Sequence, residues 1–173
     1  MKIKIIRECS DFLKASKGSP LVRMLPKAGP TDRNVKIRKK KSVTPVDEAF
    51  NTVFSDHPNL RQRCVFLNGS HSKSDDTTLG EFYVFPKNGF QFMYSTSVTD
   101  SSQQYGNVLE NLNGAMSPES AASTIADVLT YDYKTDDLHN GLICGCEIIV
   151  FGCASYVAIS RESVKSYSTL FSL

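Results

Sequence analysis

From Leu142 to Phe151 the chain reads Leu-Ile-Cys-Gly-Cys-Glu-Ile-Ile-Val-Phe, an apolar run carrying one charge. Such a run predicts a strand built into a sheet. Alternation puts Cys144, Cys146, Ile148 and Val150 on one face, and Gly145, Glu147, Ile149 and Phe151 on the other. The first face reads as core. The second sets a carboxylate between a glycine and an isoleucine, where it is costly unless paired or used. Gly145 leaves room for something to approach the sheet closely. Glu147 is therefore where function most readily rests. The structural alternatives are a salt bridge to a buried arginine, or a strand end that reaches water.

The 173 residues suit one domain spanning the whole chain, and 40% hydrophobic with 22% charged residues is a globular balance. A net charge of +2 argues against a dedicated nucleic-acid coat. No apolar run approaches the ~18 residues that a membrane span needs. Met1 to Ile6 carries charges inside its apolar stretch and has no cleavage site after it, unlike a signal peptide. Five cysteines, an odd number, read as free thiols in a reducing cytosol, which predicts a cytoplasmic protein.

Local signals place the elements. Residues 8–16 predict a short helix, with Phe12 and Leu13 on its apolar side. Pro20 to Leu25 is an apolar run broken by Arg23, and Pro26, Gly29 and Pro30 end it. Thr44-Pro45-Val46-Asp47 is a helix start with a capping-box arrangement, followed by Phe50, Val53 and Phe54 at helical spacing. Arg63 to Leu67 predicts a strand, and a polar loop follows from Asn68 to Thr78. Glu81 to Phe85 and Gly89 to Tyr94 flank Pro86-Lys87-Asn88-Gly89, a hairpin signal. Ser117-Pro118-Glu119 opens a helix with Ile125, Val128 and Leu129 on one face, and Tyr105, Val108 and Leu112 suggest another before it. Strands at Leu142–Phe151 and Ala154–Ser160 precede a short terminal helix using Val164, Tyr167 and Phe171. Helices and strands do not alternate regularly, so the fold class is α+β.

Two further segments stand beside Glu147. Arg23 interrupts its apolar run, and arginine suits bidentate contact with phosphate or carboxylate. Val65-Phe66-Leu67-Asn68-Gly69-Ser70 predicts a strand that ends by presenting small polar groups. An arginine on an early strand, a serine ending another and a glutamate on a late strand resemble the R-S-E class of ADP-ribosyltransferases. Pro20 to Met24 resembles that family's arginine motif, Cys64 to Ser70 its serine motif, and Gly145 to Val150 its glutamate strand. Glu81 to Phe90 and Ser155 to Ile159 resemble the strands that accompany them. The likeness runs from Pro20 to Ile159 and extends to bacteriophage proteins of similar size. It departs in reading Asn68-Gly69-Ser70 where the family has Ser-Thr-Ser. A literal Ser95-Thr96-Ser97 occurs later, but Ser70 has the expected strand and turn after it. Many members carry Glu or Gln two residues before the catalytic glutamate, where Gly145 stands here, so the acceptor stays open.

The resemblance implies a split β-sheet core with N-terminal and inserted helices, and NAD as cofactor. It further implies transfer of ADP-ribose to a host or phage protein or nucleic acid, in the host cytoplasm if the protein is phage-encoded. Breaking the nicotinamide–ribose bond builds positive charge on the ribose, much as glycoside hydrolysis does. Glu147 would stabilise that charge, Arg23 would hold the pyrophosphate or adjoining ribose, and Ser70 would orient Glu147 or the nicotinamide ribose. Asn68, Gly69 and Tyr94 would complete the cofactor site, with Tyr83 and Phe90 as other stacking candidates. The alternative is a non-catalytic or inhibitory module on the same fold, meeting a partner through the basic run Arg33 to Lys41. That run reads equally as a solvated loop. Cys144, Cys146 and Cys153 lack zinc-knuckle spacing, and Ser70 and His71 point to opposite strand faces, so metal and serine-hydrolase readings are weak.

Overall fold

The computed structural model describes residues 1–37, 42–69, 76–111 and 116–163, with the side chains of 107–111 excepted. Ser70, the segment Arg38 to Lys41 and the predicted terminal helix lie outside the described residues. The elements run α1 (Lys2–Glu8), α2 (Ser10–Ser16), β1 (Leu21–Pro26), β2 (Asp32–Asn34), α3 (Pro45–Val53), β3 (Val65–Asn68) and β4 (Leu79–Pro86). β5 (Gln91–Tyr94), α4 (Ser101–Asn111), α5 (Pro118–Asp132), α6 (Leu138–Ile143), β6 (Glu147–Phe151) and β7 (Ser155–Ser160) follow. The strands form one antiparallel sheet of order β2-β7-β4-β1-β3-β6-β5. The α+β class holds.

The β3–β6–β5 part of the sheet is covered on both faces. Val65, Leu67, Ile148 and Val150 join a core with Leu138 and Leu142 of α6 and Ile5 and Phe12 of the first two helices. Met93, Ile149 and Phe151 turn to α3 and α5, which supply Val46, Phe50, Ile125 and Leu129. Val128, expected on that buried face of α5, is half exposed instead. The start of α3 is as its sequence predicts. Thr44 accepts from the Asp47 N–H at 3.3 Å, and Asp47 Oδ2 accepts from the Thr44 N–H at 3.1 Å.

Two expectations are corrected. β4 and β5 do not form a hairpin: β4 lies between β1 and β7, whereas β5 is the far edge strand beside β6. The turn between them is used by the first two helices. The Asn88 N–H donates to Glu8 O at 2.7 Å, Asn88 Oδ1 accepts from the Asp11 N–H at 3.1 Å, and the Gly89 N–H donates to Asp11 Oδ2 at 3.0 Å. Those bonds satisfy the turn without strand pairing, so the two strands diverge. The late apolar run is also not one strand. Its first part is α6, and the strand begins at Glu147. Gly145, at φ +71°, makes the turn between them. In that turn Cys144 and Cys146 face each other and form a disulfide, their Cα atoms 5.5 Å apart, which corrects the expectation of free thiols there. Cys9, Cys64 and Cys153 are not disulfide-bonded.

Gly69, just past β3, sits against the backbone of α6. A Cβ there would lie 1.9 Å from Leu142 O. Gly106, in α4, faces open space. Urea denaturation should show Gly69→Ala losing about 1–3 kcal/mol through overpacking. Gly106→Ala should gain up to about 1 kcal/mol from helix propensity.

Candidate functional site

Glu147 is the first residue of β6 and is 7% exposed. Its N–H donates to Val98 O at 3.1 Å, so the segment after β5 crosses its backbone. Its side chain shares a face with Ile149 and Phe151 and meets the start of α4. The Ser101 N–H donates to Glu147 Oε1 at 3.3 Å. That N–H belongs to the first turn of an 11-residue helix, whose free amides favour a nearby anion. Asp100 caps the same turn, its Oδ1 accepting from the Gln103 N–H at 3.0 Å.

A buried arginine stands behind this contact. Arg61 lies just before β3, 6% exposed. Its Nε donates to Asp47 Oδ1 at 3.1 Å, its Nη1 to Ser101 Oγ at 2.7 Å and its Nη2 to Ser102 Oγ at 2.7 Å. The guanidinium also rests 4.9 Å from the Phe50 ring centroid and 5.1 Å from that of Phe66. Arg61 thus ties α3, β3 and α4 together, and it reaches Glu147 through Ser101.

Burial pushes the Glu147 carboxyl above the ordinary range. The Ser101 hydroxyl and N–H and the Arg61 charge pull it back, and Asp100 adds to the rise. Two tyrosines line the same interior. Burial, and then the Asp132 charge, pushes Tyr105 up to about 12. Tyr133 is raised by burial and by Tyr105 and Glu147. Neither buried hydroxyl has a well-formed hydrogen bond.

The sequence-predicted residues fall in different places. Val22 pairs with Asn68 and Asn68 with Glu147, so these three form one row across β1, β3 and β6. Tyr83 extends the row into β4. Alternation then turns Arg23 to the opposite face from Glu147. Arg23 lines a cleft of about 670 Å³ with Leu25, Arg33, Lys36 and Val65. The cleft opens where β1 and β3 part company, since Val22–Asn68 is their described register. In its wall Arg33 lies 4.9 Å from the Phe82 ring centroid and donates to Pro26 O at 3.0 Å. Tyr94 is 1% exposed, its ring packed against Gly141 and its hydroxyl accepting from Asn140 Nδ2 at 3.2 Å. That leaves it no face for a ligand. Ser95 and Ser97 both donate to Asp132, at 2.7 Å each, and not to Glu147.

Sequence reasoning missed Arg61 and Ser101. Asp47 was legible as a capping residue, but nothing in Asn59-Leu60-Arg61-Gln62-Arg63 marks which arginine turns inward. No family model, no curated protein and no solved structure matches this chain.

Glu147 has a folded-state pKa raised above its unfolded value, so its contribution to stability is full below the unfolded pKa and is lost as pH rises through the folded one. Glu147→Gln cannot ionise and keeps an acceptor for Ser101. Its Tm should equal or exceed that of the unsubstituted protein at pH 7, and the gap should close below pH about 4. By contrast, Arg61→Ala removes a buried cation together with its bonds to Asp47, Ser101 and Ser102, and should cost about 3–5 kcal/mol in chemical denaturation.

Proposed function

We propose that the chain is an ADP-ribosyltransferase-like protein that binds NAD and cleaves its nicotinamide–ribose bond through Glu147, passing ADP-ribose to a macromolecular acceptor. The observation that carries this reading is the adjacency of β1, β3 and β6: β1 bears Arg23, β3 ends in Asn68 at the start of the segment Asn68-Gly69-Ser70 that resembles the serine motif, and β6 begins with Glu147. Asn68 ends β3 and Glu147 begins β6, and the two are paired, so both stand at the same end of those strands. β1 and β3 diverge beyond Val22 into a cleft whose wall carries Arg23, Arg33 and Lys36. Those cations suit a pyrophosphate. A carboxylate held by a helix amide in a largely dry setting suits a developing oxocarbenium charge.

A second reading is favoured by a specific observation. Glu147 is buried against Ser101, on the opposite sheet face from Arg23. Such a protein would bind a phosphate-bearing partner through the cationic cleft without turning NAD over.

One experiment separates the two. Purified protein is given labelled NAD and a host lysate, and NAD affinity, nicotinamide release and label transfer are followed. The enzyme reading expects release that falls by orders of magnitude in Glu147→Gln, and NAD affinity about tenfold weaker in Arg23→Ala, for the loss of one charge-assisted contact. Binding without release supports the second reading. Folded protein that neither binds nor cleaves NAD overturns the enzyme reading.

A further inference from the structure

We infer that Ser101, held in place by Arg61, is the residue that positions the Glu147 carboxylate. This rests on the reading of Glu147 as the residue that acts on NAD. The assignment comes from contacts. Ser101 is fully buried and offers Glu147 two groups, its backbone N–H at 3.3 Å and a hydroxyl near enough to favour the ionised form. The hydroxyl has no rotational freedom to spare, because Arg61 Nη1 donates to the same oxygen at 2.7 Å. With one lone pair filled by the arginine, the Ser101 proton is directed away from the guanidinium. Arg61 is itself fixed by Asp47 Oδ1 and by Ser102, with the Phe50 and Phe66 rings 4.9 and 5.1 Å from its guanidinium. The unit is therefore preorganised: a rigid cation orients a serine, and the serine orients an acid.

The other serines do not take this part. Ser95 and Ser97 are spent on Asp132 at the end of α5. Ser102 donates nothing to Glu147 and bears on it only by accepting from Arg61. The charged and titratable groups around Glu147 are Arg61 and Asp100, with Asp47 behind Arg61 and the hydroxyls of Tyr105 and Tyr133 toward α4 and α5.

The test reads Glu147 directly. Its carboxyl titration is followed by carbon-13 NMR, assigned by the signal missing from Glu147→Gln, in the unsubstituted protein, Ser101→Ala, Ser102→Ala and Arg61→Lys. Ser101→Ala should titrate at higher pH, and Ser102→Ala, which loosens Arg61 but leaves Ser101 in place, should shift by less. Arg61→Lys keeps the charge but not the fork, and should fall between them. Nicotinamide release should show the matching shift in its acid limb, with kcat down roughly ten- to a hundredfold and KM for NAD little changed, as expected of lost orientation. An unshifted titration in folded Ser101→Ala overturns the inference whatever the activity. A shifted titration with no nicotinamide release from any form sustains it and overturns the NAD reading alone.

Discussion

The side chain on which the rest of this structure depends is Arg61. Burying a guanidinium is costly unless each of its donors finds a partner, and here three nitrogens are satisfied by three side chains from two helices. That requirement places α4 against α3 and both against β3. It also decides how the first residue of β6 is housed. Without a fixed donor at Ser101, Glu147 would be an ionisable group in an apolar interior with only the Arg61 charge to favour its ionised form.

The sheet supplies a second constraint. Most neighbouring strands run in register over several residues, but among the described residues β1 and β3 share the one pair Val22–Asn68. A sheet joined at one row and parted beyond it has a closed end and an open one. Glu147 belongs to the closed row, and Arg23 begins the open side. The two residues that the resemblance would bring together are close in strand order and separated by the pleat.

Much of the fold was legible in the sequence, for physical reasons that can be named. The Thr44–Asp47 box and the Ser117–Pro118 start are local signals, and local chemistry decides them. The alternating face of Ile149 and Phe151 was equally plain. What escaped was decided at long range. Asn88 and Gly89 look like a hairpin turn in isolation, and only the arrival of Asp11 and the end of α1 spends their polar groups elsewhere. Gly145 read as a gap in a strand because glycine marks both gaps and turns, and its positive φ is not encoded in the apolar run around it. At the site, Glu147 was visible as a charge out of place. Its partners were not, because an arginine among polar neighbours and a serine at a helix start look like any surface residues until tertiary contact selects them.

Asp47 divides its two oxygens between different duties. Oδ2 accepts from the Thr44 N–H at 3.1 Å and its hydroxyl at 2.8 Å, closing the first turn of α3, while Oδ1 anchors Arg61. The nucleation of one helix and the electrostatic setting of a carboxylate at the start of β6 thus share a single side chain. Fraying of that first turn cannot stay local, because it releases the arginine, and the arginine releases the start of α4. The region therefore behaves as one cooperative opening unit rather than as separate helices that breathe independently.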